Sequence, residues 1–246
     1  MRQLASWSPA VTHKVTRAPY AALLLLSVAA AAAGTADAPG ASPGAWHSLL
    51  QDHSAPDWRS WTQNAAESGL PDGWHVEAGI LAKDGKVDDL VSSRSYGNFE
   101  LELEWKIGEG GNSGVFYRGT HEYDHIYWSA PEYQLLDDAN TEDGKSPLTA
   151  AGSAFAVYAV PAGVVHAYDH WNKTRIVVNG SHVEHWLNGR KVVDYELQSA
   201  DWKARVAASK FAAYPHYGTA TSGLIGIQGD HPGALAIRNI RVRELP

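Results

Sequence analysis

The 246-residue sequence contains no cysteine. It therefore cannot form disulfides, hold a metal through thiolates, or be a lipoprotein acylated on an N-terminal cysteine. It also lacks a G-x-S-x-G nucleophile elbow, a glycine-rich phosphate loop, a dinucleotide-binding fingerprint and an H-E-x-x-H zinc motif. The common sequence signatures of hydrolases, nucleotide-binding proteins and zinc enzymes are thus absent. A chain of this length can still bury a full hydrophobic core without disulfides.

Positive charge and phenylalanine are also scarce. Lys and Arg number 20 against 27 Asp and Glu, and the net charge of −7 argues against nucleic acid or anionic lipid as a partner. Only 4 Phe accompany 10 Trp and 11 Tyr. Aromatic rings with a polar edge suit wet grooves of the kind that hold sugars. The composition is equally compatible with the Trp-rich core of a large β-domain.

No apolar run is long enough for a transmembrane helix, which needs roughly 20 residues. The apolar stretch at residues 21–33 follows Arg2, Lys14 and Arg17 and precedes small residues at 34–38. This layout is typical of a secretory signal. We expect a signal peptide at residues 1–38, a linker at 39–45 and one domain at 46–246, located in the periplasm or outside the cell and free of the membrane after cleavage. Cleavage near Ala33 and an uncleaved anchor are the alternatives.

The domain reads as short strands, with no amphipathic helix longer than two turns. Residues 99–107 (FELELEWKI) alternate between apolar and charged side chains, which predicts a half-buried strand with its three Glu residues turned away from the core. Asn-Gly pairs at residues 179–180 and 188–189 predict two type I′ hairpins. The pattern predicts an all-β fold, a two-sheet antiparallel jelly-roll sandwich. Two long connections, residues 120–130 and 137–152, are expected to build a site.

Polar residues inside strand patterns are the candidate site residues. The strand between the two Asn-Gly pairs places His185 on the same face as Val183 and Leu187. This histidine either belongs to the core with satisfied hydrogen bonds or lines a site. The three Glu residues of 99–107 are expected to form an ordinary charged face rather than the acid pair of a glycosidase.

Eight motifs in order give the sequence a family resemblance: GWHVEAGIL (73–81), YGNFELELEW (96–105), GGNSGVFYRG (110–119), PEYQLLDD (131–138), HWLNG (185–189), SKF (209–211), SGLIGIQ (222–228) and IRNIRVREL (237–245). Together they resemble the 3-keto-disaccharide hydrolase family. The resemblance extends from about Trp46 to the C-terminus and implies a concanavalin- or laminin-G-like jelly roll.

The resemblance also implies chemistry on glycosides already oxidised to a ketone at C3. A base removes the acidified C2 proton, the enolate expels the group at C1, and water then adds. Such a site needs a base, an acid and donors that face the enolate oxygen. His185 is the expected base and Glu132 its partner or the acid. The expected substrate-binding residues are Arg118, Gln134, Asp138, Tyr158, Lys210, Gln228 and His231.

The sequence does not define a metal site or an oligomeric state. The acidic pairs Asp88-Asp89 and Asp137-Asp138 leave a divalent metal such as Ca²⁺ open, although neither has the ligand spacing of a known calcium loop. The expected partner is a carbohydrate, the oxidised glycoside. The alternative function is a non-catalytic carbohydrate-binding module, because the same jelly roll serves both roles.

The export prediction has a direct test. We expect Edman sequencing of the protein purified from its natural source to give a mature N-terminus near Pro39. Retention of the leucine run at residues 23–26 would instead indicate an N-terminal anchor.

Overall fold

The computed structural model describes residues 43–62 and 69–246. The predicted signal peptide and most of the linker lie outside the described residues. Thirteen strands are found in the described part: β1 (His47–Ser48), β2 (Trp58–Ser60), β3 (Trp74–Glu77), β4 (Ile80–Lys83), β5 (Leu90–Ser92), β6 (Phe99–Ile107), β7 (Asn112–Gly119), β8 (Glu132–Leu136), β9 (Asn172–Asn179), β10 (His182–Leu187), β11 (Arg190–Glu196), β12 (Leu224–Ile227) and β13 (Leu235–Glu244).

These strands form two antiparallel sheets. The larger sheet has the order β11-β10-β9-β6-β13-β4-β3, with β1 also paired to β13, and the smaller sheet has the order β2-β5-β12-β7-β8. One hydrophobic core joins them, because Leu101 and Ile176 of the larger sheet belong to the same buried cluster as Tyr117 and Tyr133 of the smaller one. The prediction of a two-sheet antiparallel sandwich is confirmed.

Strand β6 has the predicted bounds and the predicted faces. Its odd-numbered residues are all buried in the core, and its glutamates lie on the outer face of the larger sheet. Glu100 is only 4% exposed there, because Arg175 and Arg243 from the flanking strands cover it and bind its two carboxylate oxygens. The carboxylates of β6 are therefore paired with arginine on the face that points away from the smaller sheet.

The two hairpin turns differ from each other. Asn188 and Gly189 both have positive φ, at 50° and 81°, between the paired residues Leu187 and Arg190, as a type I′ turn requires. In the first hairpin Asn179 pairs directly with His182, so the two-residue loop is Gly180-Ser181 and only Gly180 has positive φ. The predicted type I′ turn at residues 179–180 is wrong, because Asn179 still belongs to the strand and the pattern is that of a type II′ turn.

Within residues 43–62 and 69–246, helical structure is confined to the connections between strands. The α-helix α1 (Ala200–Ala207) is eight residues long; the side chain of Ser199 caps it by accepting from the backbone N–H of Trp202, which is buried. Short 3₁₀ turns lie in both long connections that the sequence pointed to, at Ile126–Trp128, Asp138–Asn140 and Asp143–Lys145. In the described part of the chain, no helix has the length and apolar character needed to cross a membrane.

A buried hydrogen bond across the larger sheet offers a test of the core. The indole Nε1 of Trp105 donates to the hydroxyl of Thr174 at 2.9 Å, and both residues are fully buried. Thr174→Val keeps the shape but leaves the indole N–H without this acceptor, and we expect it to lower the free energy of unfolding by about 1–3 kcal/mol. Thr174→Ser, which keeps the hydroxyl, is the control in urea denaturation. An unchanged free energy of unfolding in Thr174→Val would show that this hydrogen bond does not stabilise the core.

Candidate active site

The outer face of the smaller sheet carries the candidate site. Along β8, Tyr133 and Leu135 point into the sandwich core, so Glu132 and Gln134 point to the opposite side. Along β7, Phe116 lies on that opposite side in a second, smaller hydrophobic cluster. We call this face the groove face. It combines an apolar part around Phe116 with a polar part around Glu132.

The carboxyl group of Glu132 occupies space left by a glycine. Strands β7 and β8 pair Gly114 with Gln134 and, two residues further along β7, Phe116 with Glu132. All four positions lie on the groove face. A Cβ added to Gly114 would lie 2.1 Å from Oε1 of Glu132. The Glu132 side chain therefore lies directly over the backbone of Gly114, and the residue is only 4% exposed.

The pKa of Glu132 is raised to about 8, chiefly because burial penalises the ionised form. The positive charge of Lys210 lowers this pKa, whereas the negative charges of Asp89 and Asp230 raise it further. Lys210 lies in the 3₁₀ turn Lys210–Ala213, with its Nζ 4.4 Å from the centre of the Phe155 ring. A carboxyl in this environment is mostly protonated at neutral pH and can act as an acid.

Asp89 is a second carboxyl with a raised pKa, and sequence reasoning did not select it for this role. It immediately precedes β5, is 6% exposed, and accepts the backbone N–H of Gly229 at 2.7 Å. Burial raises its pKa to about 6, while the hydrogen bond from Gly229 lowers it and the charge of Asp230 raises it. Asp89 is therefore mostly ionised at neutral pH. The sequence feature that could have indicated this residue is its position directly before a buried strand, on the face opposite Leu90.

A cavity of about 620 Å³ opens beside Asp89. Its lining includes Asp89, Asp230, Trp61 and His125. Loop 120–130 contributes His125 to this lining. The ring of His125 stacks on Tyr127 with centroids 4.8 Å apart. The cavity thus combines carboxylates with aromatic rings, a combination suited to a hydroxyl-rich ligand.

Gln228 joins Glu132 and Gln134 on the groove face. Its backbone N–H donates to the carbonyl of Gly114 at 2.9 Å, which fixes it beside the strand that Glu132 covers. Its side-chain Oε1 is buried and has no hydrogen-bond partner among the residues that the structure describes. Of the predicted site residues, the structure therefore brings together Glu132, Gln134 and Gln228, with Lys210 near enough to shift the pKa of Glu132.

His185 lies elsewhere, in the core between the sheets. It is fully buried; its Nδ1–H donates to the carbonyl of Gly152 at 3.0 Å, and its Nε2 lies 3.0 Å from the hydroxyl of Tyr117. Its ring also packs against Tyr133, 4.8 Å away, whereas the neighbouring Glu132 faces the groove. The pairing of His185 with Glu132 in one site is therefore corrected, because the smaller sheet separates the two side chains. The alternative of a core histidine with satisfied hydrogen bonds fits this geometry.

Arg118 and Tyr158 are also outside the groove. Arg118 has a positive φ of 55° at the end of β7, and its guanidinium donates to the carbonyl of Gly97 at 3.1 Å and to Asn98 at 3.3 Å. The hydroxyl of Tyr158 donates to Asp201 at 2.8 Å, beside α1. Both side chains are engaged in contacts within the chain, and neither lies on the groove face.

Asp138 and His231 lie at two further positions. Asp138 accepts the backbone N–H of Ala151 at 2.8 Å and lines a separate cavity of about 530 Å³. His231 is near the groove acids: its ring Nε2 lies 3.8 Å from Asp230, and its carbonyl accepts from Lys83 at 2.8 Å. His231 is therefore at the margin of the candidate site and Asp138 is not part of it.

The acidic pairs proposed for Ca²⁺ point to separate partners. Asp88 accepts the hydroxyls of Ser60 and Thr62, whereas Asp89 accepts backbone N–H groups. Asp137 accepts the N–H of Gly110. A calcium role stays a prediction. Within the described ranges, one group of His, Asp and Glu side chains has ligand atoms close enough to hold a metal ion, all within 4.8 Å of one another. This group lies on the outer face of the larger sheet, away from both acidic pairs.

The two-sheet fold places this protein in the class of jelly-roll proteins, which includes glycosyl hydrolases. A structure from Parabacteroides distasonis, described as a candidate glycosyl hydrolase, superposes with a TM-score of 0.74 at 32% identity and covers 82% of this chain and 94% of its own. A second structure from the same organism, described in the same way, gives a TM-score of 0.63 at 28% identity, over 82% of this chain and 100% of its own.

The family follows from the sequence comparisons. The model of the 3-keto-alpha-glucoside-1,2-lyase-like domain matches residues 45–243. A 3-keto-disaccharide hydrolase from Bacteroides thetaiotaomicron is 34% identical over 220 residues, which are 76% of this chain and 74% of that protein. The chain belongs to this family. The resemblance drawn from the motifs is confirmed, and with it the prediction of an enzyme.

The core position of His185 predicts a pH-dependent contribution to stability. Burial lowers its pKa to about 4, although hydrogen bonds to the backbone of Gly152 and Ser153 raise it. Because the unfolded imidazole has a pKa of about 6.5, the unfolded state binds the extra proton between pH 6.5 and 4. The stabilisation is complete above pH 6.5 and is lost as pH falls through 4, by about 3 kcal/mol.

We therefore expect the stability difference between the wild type and His185→Gln to shrink as pH falls from 7 to 4. Urea denaturation of both proteins across this range measures the difference in their free energies of unfolding. The effects of the other titrating groups, which both proteins share, cancel in this difference. His75→Gln, at an exposed position of β3, is the control for replacing a histidine outside the core. A difference independent of pH would contradict a neutral, buried imidazole.

Proposed function

We propose that the chain cleaves 3-keto-glycosides, with a carbohydrate as its substrate and the groove face as its active site. The single observation that carries this proposal is the buried carboxyl of Glu132 over Gly114, whose pKa of about 8 is raised in part by the charge of Asp89, a second buried carboxyl with a pKa of about 6. Two carboxyl groups whose pKa values are set on opposite sides of neutrality are suited to acid and base roles. The family membership supplies the substrate class.

In this proposal Asp89 is the base. Its carboxylate removes the C2 proton, which the ketone at C3 has made acidic, and the electron pair moves into the C2–C3 bond to form an enolate. Asp89 replaces His185 in this role, because both ring nitrogens of His185 are engaged in the core. The ammonium group of Lys210 stabilises the negative enolate oxygen. Lys210 is held beside Phe155, so its charge stays near the groove.

Glu132 is the acid in the second step. The enolate re-forms the ketone, the C1–O bond breaks, and the proton of Glu132 moves to the departing oxygen. The product is an unsaturated sugar with a C1–C2 double bond. Glu132 is now a carboxylate and takes a proton from water as the water oxygen adds to C1, while Asp89 returns its proton to C2. The sum of the steps is hydrolysis, and no step is assigned to a metal.

Gln134 and Gln228 complete the site as hydroxyl ligands. The amide Nε2 of Gln134 donates to Asn112 at 3.3 Å, which orients its Oε1. The buried Oε1 of Gln228 is an acceptor suited to a sugar hydroxyl. We further propose that the enzyme works in the periplasm or outside the cell, on the strength of the N-terminal signal pattern.

Substrates with different leaving groups separate the two roles. Glu132→Gln should lower kcat by about 10²–10⁴-fold on a 3-keto-disaccharide, because an alkoxide needs a proton to leave. On the 3-keto derivative of 4-nitrophenyl glucoside the loss should be far smaller, because nitrophenolate leaves without one. Asp89→Asn should be equally slow on both substrates. Glu104→Gln, on the outer face of the larger sheet, is the control.

Proton exchange tests the base directly. In D₂O, Glu132→Gln should still exchange the C2 proton of a 3-keto-glucoside, whereas Asp89→Asn should not. Wild-type enzyme should leave the unoxidised parent glycoside intact. Full exchange by Asp89→Asn would exclude Asp89 as the base, and normal turnover of the disaccharide by Glu132→Gln would exclude Glu132 as the acid.

The position of Gly114 provides an independent test of the geometry. Gly114→Ala places a methyl group where the Glu132 carboxyl lies, so we expect a loss of kcat with both acids still present. Gly97→Ala has an ordinary φ, and its nearest heavy atom is 3.5 Å away, so it is the matched control and should keep full activity. Normal kcat in Gly114→Ala would show that the position of Glu132 is not critical.

A further inference from the structure

The outer face of the larger sheet holds a cluster of metal-ligating atoms far from the groove. His182 and Glu184 alternate along β10, and Asp194 is the residue of β11 that pairs with Glu184. The three side chains therefore project from the same face. His182 Nε2 lies 3.5 Å from Glu184 Oε1 and 3.7 Å from Asp194 Oδ1, and all three ligand atoms lie within 4.8 Å of one another.

We propose that His182, Glu184 and Asp194 form a binding site for a zinc-like divalent transition-metal ion. Zinc bound tetrahedrally at about 2.0–2.2 Å holds its ligand atoms about 3.4 Å apart. Two of the three separations are already close to this value, so the ion needs only small side-chain rotations. A water molecule would fill the fourth position.

The orientation of the imidazole fits a metal ligand. His182 Nδ1 lies 2.9 Å from Oε1 of Glu196, the residue paired with it on β11. Because a carboxylate only accepts hydrogen bonds, Nδ1 carries a hydrogen. Nε2 is the ring nitrogen that faces Glu184 and Asp194, and a metal ion bound there replaces the hydrogen of this nitrogen. A carboxylate behind a histidine is the usual support of a metal-bound imidazole. The nitrogen ligand also selects against Ca²⁺ and Mg²⁺, which prefer six or more oxygen ligands.

A cation already occupies the edge of this cluster. The ammonium Nζ of Lys191 lies 3.0 Å from Glu184 Oε1 and 2.5 Å from Asp194 Oδ2. The cluster therefore attracts positive charge, and here an internal ammonium supplies it. A metal ion must displace this ammonium from Glu184. Lys191 is thus a built-in competitor, and its removal should tighten metal binding.

The ion would join two strands at the edge of the sheet. β11 is the outermost strand of the larger sheet and pairs only with β10 among the strands described. A metal bound by both strands stabilises this hairpin without contacting the groove, which is on the other sheet. The site is therefore structural, and it is independent of the proposed catalytic roles.

Zinc titration of metal-stripped full-length protein tests the proposal by calorimetry and thermal unfolding. We expect one equivalent of Zn²⁺ to bind and to raise Tm, and Ca²⁺ to have no such effect. His182→Gln and Asp194→Asn should each weaken binding at least tenfold and abolish the Tm shift. Lys191→Met, which keeps the aliphatic stem but removes the charge, should tighten binding several-fold.

His75→Gln is the control for binding by exposed histidines elsewhere, and it should bind zinc like the wild type. Wild-type affinity in His182→Gln would overturn the proposal, as would an equal Tm shift with Ca²⁺. Unchanged or weaker binding in Lys191→Met would do the same. All of these side chains are partly exposed, so the variants should fold, and Lys191→Met still decides the matter if Asp194→Asn does not.

Discussion

The site depends on one constraint, the burial of a carboxyl group over a glycine in the middle of a sheet. Only the absence of a side chain at Gly114 lets Glu132 lie against the backbone of the neighbouring strand. That position removes the carboxyl from water and favours its neutral form, which raises its pKa. The nearby charges then adjust the value: Asp89 and Asp230 raise the pKa of Glu132, and Lys210 lowers it. An acid that is protonated at neutral pH follows from this packing.

The core-facing side chains of β7 and β8 fix the position of the groove face. Tyr133 follows Glu132 along β8 and packs against His185. The hydroxyl of Tyr117, on β7, is hydrogen-bonded to both His185 and Tyr195. These buried polar groups link the smaller sheet to β10 and β11 of the larger one. A shift of β8 along its axis would separate Tyr133 from His185 and break its hydrogen bond to the carbonyl of Trp186. Contacts on the core side of β8 therefore help to fix the register that places Glu132 over Gly114. In this interpretation His185 positions the site without touching the substrate.

Local patterns predicted the local features of the fold. The alternation of residues 99–107 gave the bounds and both faces of β6, because period-two patterning depends only on neighbouring residues. The same logic placed Glu132 and Gln134 on one face. The first hairpin was predicted wrongly because an Asn-Gly pair does not define where strand pairing ends, and Asn179 continues to pair. Register is a property of two strands, and a single dipeptide does not fix it.

The composition of the groove could not be predicted in this way. Alternation shows that His185 and Glu132 each share a face with other residues, but it does not show which face of which sheet points to the core. The decision comes from the order β5-β12-β7-β8, which joins segments more than 100 residues apart. This order brings Asp89 near Glu132, although 43 residues separate them in the chain. The family motifs show the order of the segments along the chain, but they do not predict how these segments are arranged in space.

The buried titratable groups of the groove face and of the core change the free energy of unfolding with pH in opposite directions. Glu132 has a higher pKa in the folded state than when unfolded, so the stability linked to it is present at low pH and is lost as pH rises from about 4.5 through 8. Asp89 acts in the same direction up to about pH 6. His185 has a lower pKa in the folded state, so its stabilisation is present above pH 6.5 and is lost towards pH 4.

Between pH 4.5 and 6.5 the contributions of Glu132 and His185 to the free energy of unfolding oppose one another. Above pH 6.5 Glu132 is the one of these three groups whose contribution still changes with pH, so the folded state keeps losing stability there as the acid that the proposed chemistry needs ionises.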